Sequence, residues 1–228
     1  MSSTYVRHAY SEFLGTFALT FVGSAAIMLK EASGGSLLEV ALAHGLVLSI
    51  MVTAFMHIAA HFNPAVTIAF VFTRRIPLSM AGLHIAMQFA GAIVAAFLLK
   101  ALFPAALFSA AHGGGQAISV DIGGAQAWVL EALATFFLMT AIFGTAVNKK
   151  APNVGGFAIG LTVAFDILAI GPFTGASMNP ARTFGPAMAY GVYEGVGIYI
   201  TAPIVGAIIA ALAYDNLILK EDPAAPTA

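Results

Sequence analysis

Apolar residues run along this chain in long stretches separated by short polar or glycine-containing breaks, and the spacing of those breaks predicts the elements. Six stretches, near 9–30, 37–58, 78–103, 125–147, 155–172 and 196–218, are long enough to cross about 30 Å of hydrocarbon as helices. Two apolar pieces are left over. "NPAVTIAFVF" (63–72) and "NPARTFGPAMAY" (179–190) would rise about 15 Å and about 18 Å as helices, at about 1.5 Å per residue. Each is roughly half a bilayer. The first follows a span that ends on one face and the second a span that ends on the other, so the two enter from opposite sides.

The same order of strings occurs twice. "SEFLGTF" (11–17) matches "LEALATF" (130–136), "HGLVLSI" (44–50) matches "IGLTVAF" (159–165), and "QFAGAIVAA" (88–96) matches "PIVGAIIAA" (203–211). The Asn-Pro-Ala strings recur 116 positions apart (179 − 63). Four ordered matches at nearly constant offset mark a duplicated unit. Each half, about 8–104 and 125–218, holds three spans, so equivalent helices run in opposite directions. Together they read as one channel domain, 1–228. In an inverted repeat the site is expected near the midplane, where broken helices meet.

Asn is a favoured helix N-cap and Pro suits the first helical position, so Asn63-Pro64-Ala65 and Asn179-Pro180-Ala181 each start a half-helix. A capping Asn uses its side-chain oxygen on the backbone and keeps its NH2 as a donor. The two positive helix ends and two amides would converge in a narrow apolar pore. A water facing both donors with its oxygen cannot carry a continuous proton wire, and the helix ends repel cations. The pattern predicts a proton-tight conduit for water or a similarly small neutral solute.

Composition supports a membrane setting. Hydrophobic residues make up 60% and charged residues 8%, more apolar than a soluble domain of 228 residues can hide. The formal net charge of -1 argues against nucleic acid as a partner. The absence of Cys excludes disulfides and thiol chemistry and predicts flux insensitive to thiol-directed mercurials. Residues 13–29 follow Arg7 in the manner of a cleaved signal, but their length and the repeat partner of Glu12 favour a span. Arg7, Arg74, Arg75, Lys149, Lys150 and Lys220 fall on one face, with only Lys30 and Lys100 near the other. The positive-inside rule then puts both termini in the cytoplasm, in a multi-pass protein of the cell membrane. The tail "EDPAAPTA" is too short and polar to be a domain.

From Glu12 to Tyr214 the strings "SEFLGTF", "AHFNPAVTIAF" and "GPFTGASMNPARTFGPA", with the "QFAGAIVAA"/"PIVGAIIAA" pair, resemble those of the aquaporin (major intrinsic protein) family. The resemblance implies an all-α membrane fold of six helices and two re-entrant half-helices, one pore per subunit and a homotetramer. It also implies a second, outer constriction. Its four positions fall on His44, Ile167, Ala176 and Arg182, a set that looks like the filter of plant tonoplast intrinsic proteins. "HIAAHFNPA" is one residue shorter than the family's usual string, so His44 is counted from the helix and not from Asn63. That branch passes water and, in many members, ammonia, urea or hydrogen peroxide. Thr183 and Ala187 stand where the glycerol branch has an acid and a base, which disfavours glycerol. His112 resembles a residue that extends this filter, and reads equally well as a surface-loop His.

Other polar residues have plainer readings. Arg182 should donate to passing solute and take loop carbonyls as partners. Glu12 and Glu131, at equivalent places, should brace the re-entrant loops. Asp166 reads as a packing residue beside the lumen, with a role in pH response or ammonium recruitment as the sharper alternative. His44 should be neutral beside Arg182. His57 and His61 flank the inner mouth and should fix its loop, and Phe17, Phe89 and Phe136 read as packing residues. No cofactor, metal, nucleotide or nucleophile constellation is visible, so no enzyme is implied. A coupled secondary transporter is the alternative, since it shares inverted repeats and broken helices. An adhesive protein with a vestigial pore is a third reading, against which Asn63, Asn179 and Arg182 weigh.

Overall fold

The computed structural model describes residues 3–152 and 154–220, and the tail "EDPAAPTA" lies outside them. Six long apolar helices are present: α1 (Ser3–Ser33), α2 (Leu37–Phe55), α4 (Leu78–Leu102), α6 (Gly124–Ile142), α7 (Gly155–Thr174) and α9 (Val196–Tyr214). Each is long and apolar enough to span a membrane. Between them lie two half-helices, α3 (Pro64–Phe72) and α8 (Pro180–Tyr190), capped by Asn63 and Asn179. A short helix α5 (Ala105–Ala110) and a 3₁₀ turn at His112–Gly114 fold the loop after α4. π-helical turns at Phe143–Val147 and Asp215–Leu219 extend α6 and α9.

The packing repeats with the sequence. α1 lies on α4, and α6 lies on α9 in the same way, while α2 and α7 cross at the centre. Each half-helix packs on the last span of the other half, α3 on α9 and α8 on α4. Small residues permit these approaches. A Cβ on Gly45 would meet Gly160 O at 2.8 Å, and one on Gly160 would meet Gly45 O at 2.1 Å, so α2 and α7 touch backbone to backbone. Gly91 and Gly206 do the same for the outer pairs, against Phe13 O and Ala132 O. Small-residue contacts of this kind drive helix association where lipid offers no hydrophobic gain.

The surface that faces away from these contacts is apolar too. On α2, Leu38, Leu42, Leu46 and Ile50 are exposed at helical spacing, and on α7 so are Phe157, Leu161, Phe165 and Leu168. Such rings of exposed apolar side chains suit hydrocarbon. Phe17 stacks between Phe13 and Phe21, Phe89 meets Phe184 edge-on, and Phe136 meets Phe137. Arg75, after α3, pairs with Asp215 at 2.7 Å and lies over the Phe143 ring. The ends of α3, α6 and α9 therefore share one face, which also holds the start of α1; it is called here the terminal face, and its opposite the far face.

Candidate functional site

The site begins with two loops whose backbone cannot satisfy itself. Phe62 and Met178, each just before a capping Asn, have φ of 50° and 54°. These left-handed conformations are costly for non-glycine residues and persist only where the surroundings fix them. Two buried carboxylates do so. Glu12 accepts from the N–H groups of His61 (2.9 Å) and Phe62 (2.8 Å), and Glu131 from those of Ser177 and Met178 (both 2.8 Å). Neither carboxylate is exposed at all. Gln88 completes the first set and Thr174 the second, and Tyr199 anchors Thr174 O in turn.

The turned loops present their carbonyls to one another's asparagines. Asn63 Nδ2 donates to Met178 O at 2.7 Å, and Asn179 Nδ2 donates to Phe62 O at 2.8 Å. Each Oδ1 caps its own half-helix, at Ala65 N for Asn63 and at Ala181 N and Arg182 N for Asn179. One hydrogen of each amide is thus fixed across the junction. No acceptor among the described residues takes the second. Pro64 and Pro180 sit at the first helical position, where no donor is lost.

A cavity of about 220 Å³ runs along this junction. It starts at the terminal face near Met56 and Val147, passes Asn63 and Asn179, and reaches Ala176, Arg182 and His44. Its walls between are aliphatic, from Val66, Ile159 and Val163 among others. Irregular backbone at this depth lines the cavity or is buried in protein, as a membrane interior requires.

At the far end Arg182, 2% exposed, donates from Nη2 to His44 Nε2 at 3.0 Å. His44 Nδ1 stands 2.8 Å from Val40 O, which can only accept. Nδ1 therefore carries the proton and Nε2 is the acceptor, so the ring is neutral. Loop carbonyls were the expected partners of Arg182. The histidine takes that place instead, and Arg182 Nε and Nη1 have no partner among the described residues. Two guanidinium nitrogens, carrying three N–H bonds, are thus left for what fills the cavity.

The other sequence-derived positions fall as follows. Ile167, 2% exposed, lies one turn beyond Val163 on α7 and packs in the core, outside the cavity lining. His112 makes no bond to Arg182. Its ring lies 5.1 Å from that of Tyr190, and it lines a separate far-face recess of about 290 Å³ with Thr183 and Ala187. Asp166 is 2% exposed, off the lining, and its Oδ2 has no partner among the described residues. His61 is fixed by Glu12 through its backbone and by Thr67 through its ring, whereas His57 is exposed and fixes nothing among the described residues.

Three further residues at the site carry no signal in the sequence. Gln88, fully buried on α4, bridges Glu12 to Thr67. Gln116 sits over Gly175 with neither amide atom partnered among the described residues. His84, 1% exposed, joins Glu12 and His61 in a group whose ligand atoms all lie within 4.8 Å of one another. The sequence shows no such grouping of potential metal ligands; the fold assembles one. Positions 12, 61 and 84 follow no motif spacing, and only helix packing brings them together.

Two half-helices pinned tip to tip around a narrow cavity, inside a six-helix inverted repeat, define a passive membrane channel for water and small neutral solutes. The sequence model described as "MIP: Major intrinsic protein" matches residues 1–214, and the chain belongs to this family. It is 39% identical to nodulin-26 of Glycine max over 233 residues, covering 100% of this chain and 83% of that protein. It is 38% identical to aquaporin TIP4-4 of Zea mays, covering 95% and 88%, and 37% identical to aquaporin NIP3-1 of Arabidopsis thaliana, covering 95% and 69%. Identity over the whole chain thus does not choose among differently named branches. The X-ray structure of the aquaglyceroporin from Plasmodium falciparum has the same fold, with a TM-score of 0.86 at 23% identity, over 95% of this chain and 98% of that one.

Proposed function

We propose that the channel passes water, and with it ammonia, urea or hydrogen peroxide, while excluding protons and ions. The observation that carries this reading is the crosswise fixing of Asn63 and Asn179. Each amide is held rigidly with one N–H left over, at the positive ends of two half-helices. A water there turns its oxygen to both donors, and its own hydrogens point away along the file on both sides. Proton hopping needs the opposite pattern, an unbroken line of waters all facing one way. Arg182 and neutral His44 form the second checkpoint, with a donor surface that suits carbonyl, amine or water oxygen and repels cations.

The aliphatic walls make few bonds, so a solute crosses without being trapped. Thr183 and Ala187 give no charged pair for a polyol, and glycerol is the poorest of the candidate solutes. The reading also takes the chain as a channel rather than an enzyme, a homotetramer with one pore per subunit, and a cell-membrane protein with both termini cytoplasmic. The basic residues near the terminal face support that orientation.

Purified protein in liposomes tests the solute range. Stopped-flow shrinkage is followed with sucrose, urea and glycerol gradients, and internal pH with an ammonia gradient. Water and ammonia should move fastest and glycerol slowest, all without an ion gradient. Flux that depends on a sodium or proton gradient would favour a coupled transporter instead.

A further inference from the structure

We infer that Glu12, His61 and His84 form a binding site for a divalent transition metal of the zinc class, set in the wall of the cavity near the terminal face. This site is separate from the Asn63–Asn179 junction and from the Arg182–His44 pair, and its metal chemistry does not depend on which solutes the channel passes.

The donor set is two imidazoles and one carboxylate, a combination suited to zinc. The spacing fits as well. His84 Nδ1 lies 3.5 Å from His61 Nδ1 and 3.4 Å from Glu12 Oε1. Two nitrogen or oxygen ligands at zinc bond lengths in a tetrahedron stand about 3.3 Å apart. Two of the three edges are thus already at coordination spacing before any ion is added. The ligands come from α1, α4 and the loop before α3, so the packing of three elements fixes them, not one flexible loop.

Proton accounting leads the same way. His8 Nδ1 stands 2.9 Å from His84 Nε2. If Nε2–H donates there, His84 Nδ1 is left as a lone pair aimed at Glu12 Oε1 and His61. Glu12 Oε1 has its own unused lone pair, since it accepts only His61 N–H. In that tautomer acceptor faces acceptor at 3.4 Å and a cation fills the gap; in the other, His84 Nδ1–H points at Glu12 Oε1 and zinc takes the place of that proton. His8 would act as the outer partner that orients a ligating imidazole. Thr67 Oγ1 contacts His61 Nδ1 at 3.1 Å, donates to Asn63 O and accepts from Gln88. It therefore accepts from His61 Nδ1–H, and a zinc on that nitrogen takes the place of both the proton and this hydrogen bond, so Thr67 has to move off the ring. His61 lines the cavity, which gives the ion an aqueous entry path and a water as fourth ligand.

The test is equilibrium dialysis of tag-free, full-length protein in detergent against Zn²⁺, with Co²⁺ as a spectroscopic substitute. The wild type should bind close to one zinc per chain and show the intense visible bands of four-coordinate Co²⁺. His84→Gln should weaken zinc binding by more than about 100-fold, beyond the 10–100-fold typical of losing an outer partner, and His8→Gln should fall within that smaller range. Zinc should raise the Tm of the wild type and leave that of His84→Gln unmoved. The exposed His57→Gln should bind as the wild type does. Zinc uptake unchanged by His84→Gln, or wild-type Co²⁺ with only the weak bands of six-coordination, would overturn the site. The Co²⁺ spectrum needs no variant, so it decides even if His84→Gln fails to fold.

Discussion

The two re-entrant loops share a scaffold and differ in what they show to the cavity. Both are braced by a buried glutamate, both turn through a left-handed residue, and both fix an asparagine on the other's carbonyl. Three residues past each Asn the likeness ends: Val66 stands on α3 and Arg182 on α8. The facing spans differ in step, with Ile159 on α7 at the place that His44 holds on α2. All four line the cavity. Duplication therefore supplies a symmetric frame that holds the midpoint, while the guanidinium–imidazole pair occurs once, near the far face. His61 and Ser177, each two before its Asn, show a second divergence. Both reach the Thr four residues past the Asn, but only His61 stands beside another imidazole.

The comparison breaks first, and hardest, at the braces. Glu12→Ala and Glu131→Ala each strand two buried backbone N–H groups, at about 1–3 kcal/mol apiece, so each should lose about 2–6 kcal/mol of stability in a denaturant titration. A symmetric frame predicts similar losses; tolerance of either change would mean that the loops are held some other way. The selectivity half is sharpened by Arg182→Val, which makes the far wall resemble the terminal one. Glycerol flux relative to water in vesicles should rise by about tenfold or more, a barrier change of about 1.4 kcal/mol.

Smaller effects follow at the helix crossings. Gly206→Ala sets a methyl 2.0 Å from Ala132 O, and Gly91→Ala sets one 2.4 Å from Phe13 O. Each overpacks a backbone contact and should cost about 1–3 kcal/mol, with Gly206 the more sensitive in thermal unfolding. Asp166→Asn should do least, changing stability by no more than about 1 kcal/mol and leaving water flux intact. Abolished flux in that variant would make Asp166 the ion site of a coupled transporter.

Much of this frame is legible in the sequence, because hydrocarbon thickness sets span length and Asn-Pro sets helix starts. The half-helices begin at Pro64 and Pro180, within a residue of where the strings place them. The first span is longer than its apolar core, since α1 starts at Ser3 and its opening turns carry Arg7 and His8. What the strings cannot give is facing. A helix apolar on every side has no polar stripe to orient it, so Gln88 and His84 gave no signal of pointing at Glu12. Arg182 and His44, 138 positions apart on different helices, are brought together by the family resemblance and not by the apolar pattern. Ile167 was placed in the filter by counting, and its side chain packs one turn past the last lining residue of α7.

The central claim is that two rigidly held amides orient the water file and so part water from protons. Its most direct measurement follows vesicle volume and internal pH together, in the same proteoliposomes, under an osmotic step and then a pH step. Fast shrinkage with a pH decay no quicker than that of protein-free vesicles is the predicted result. A pH decay that accelerates in proportion to the water flux would contradict it.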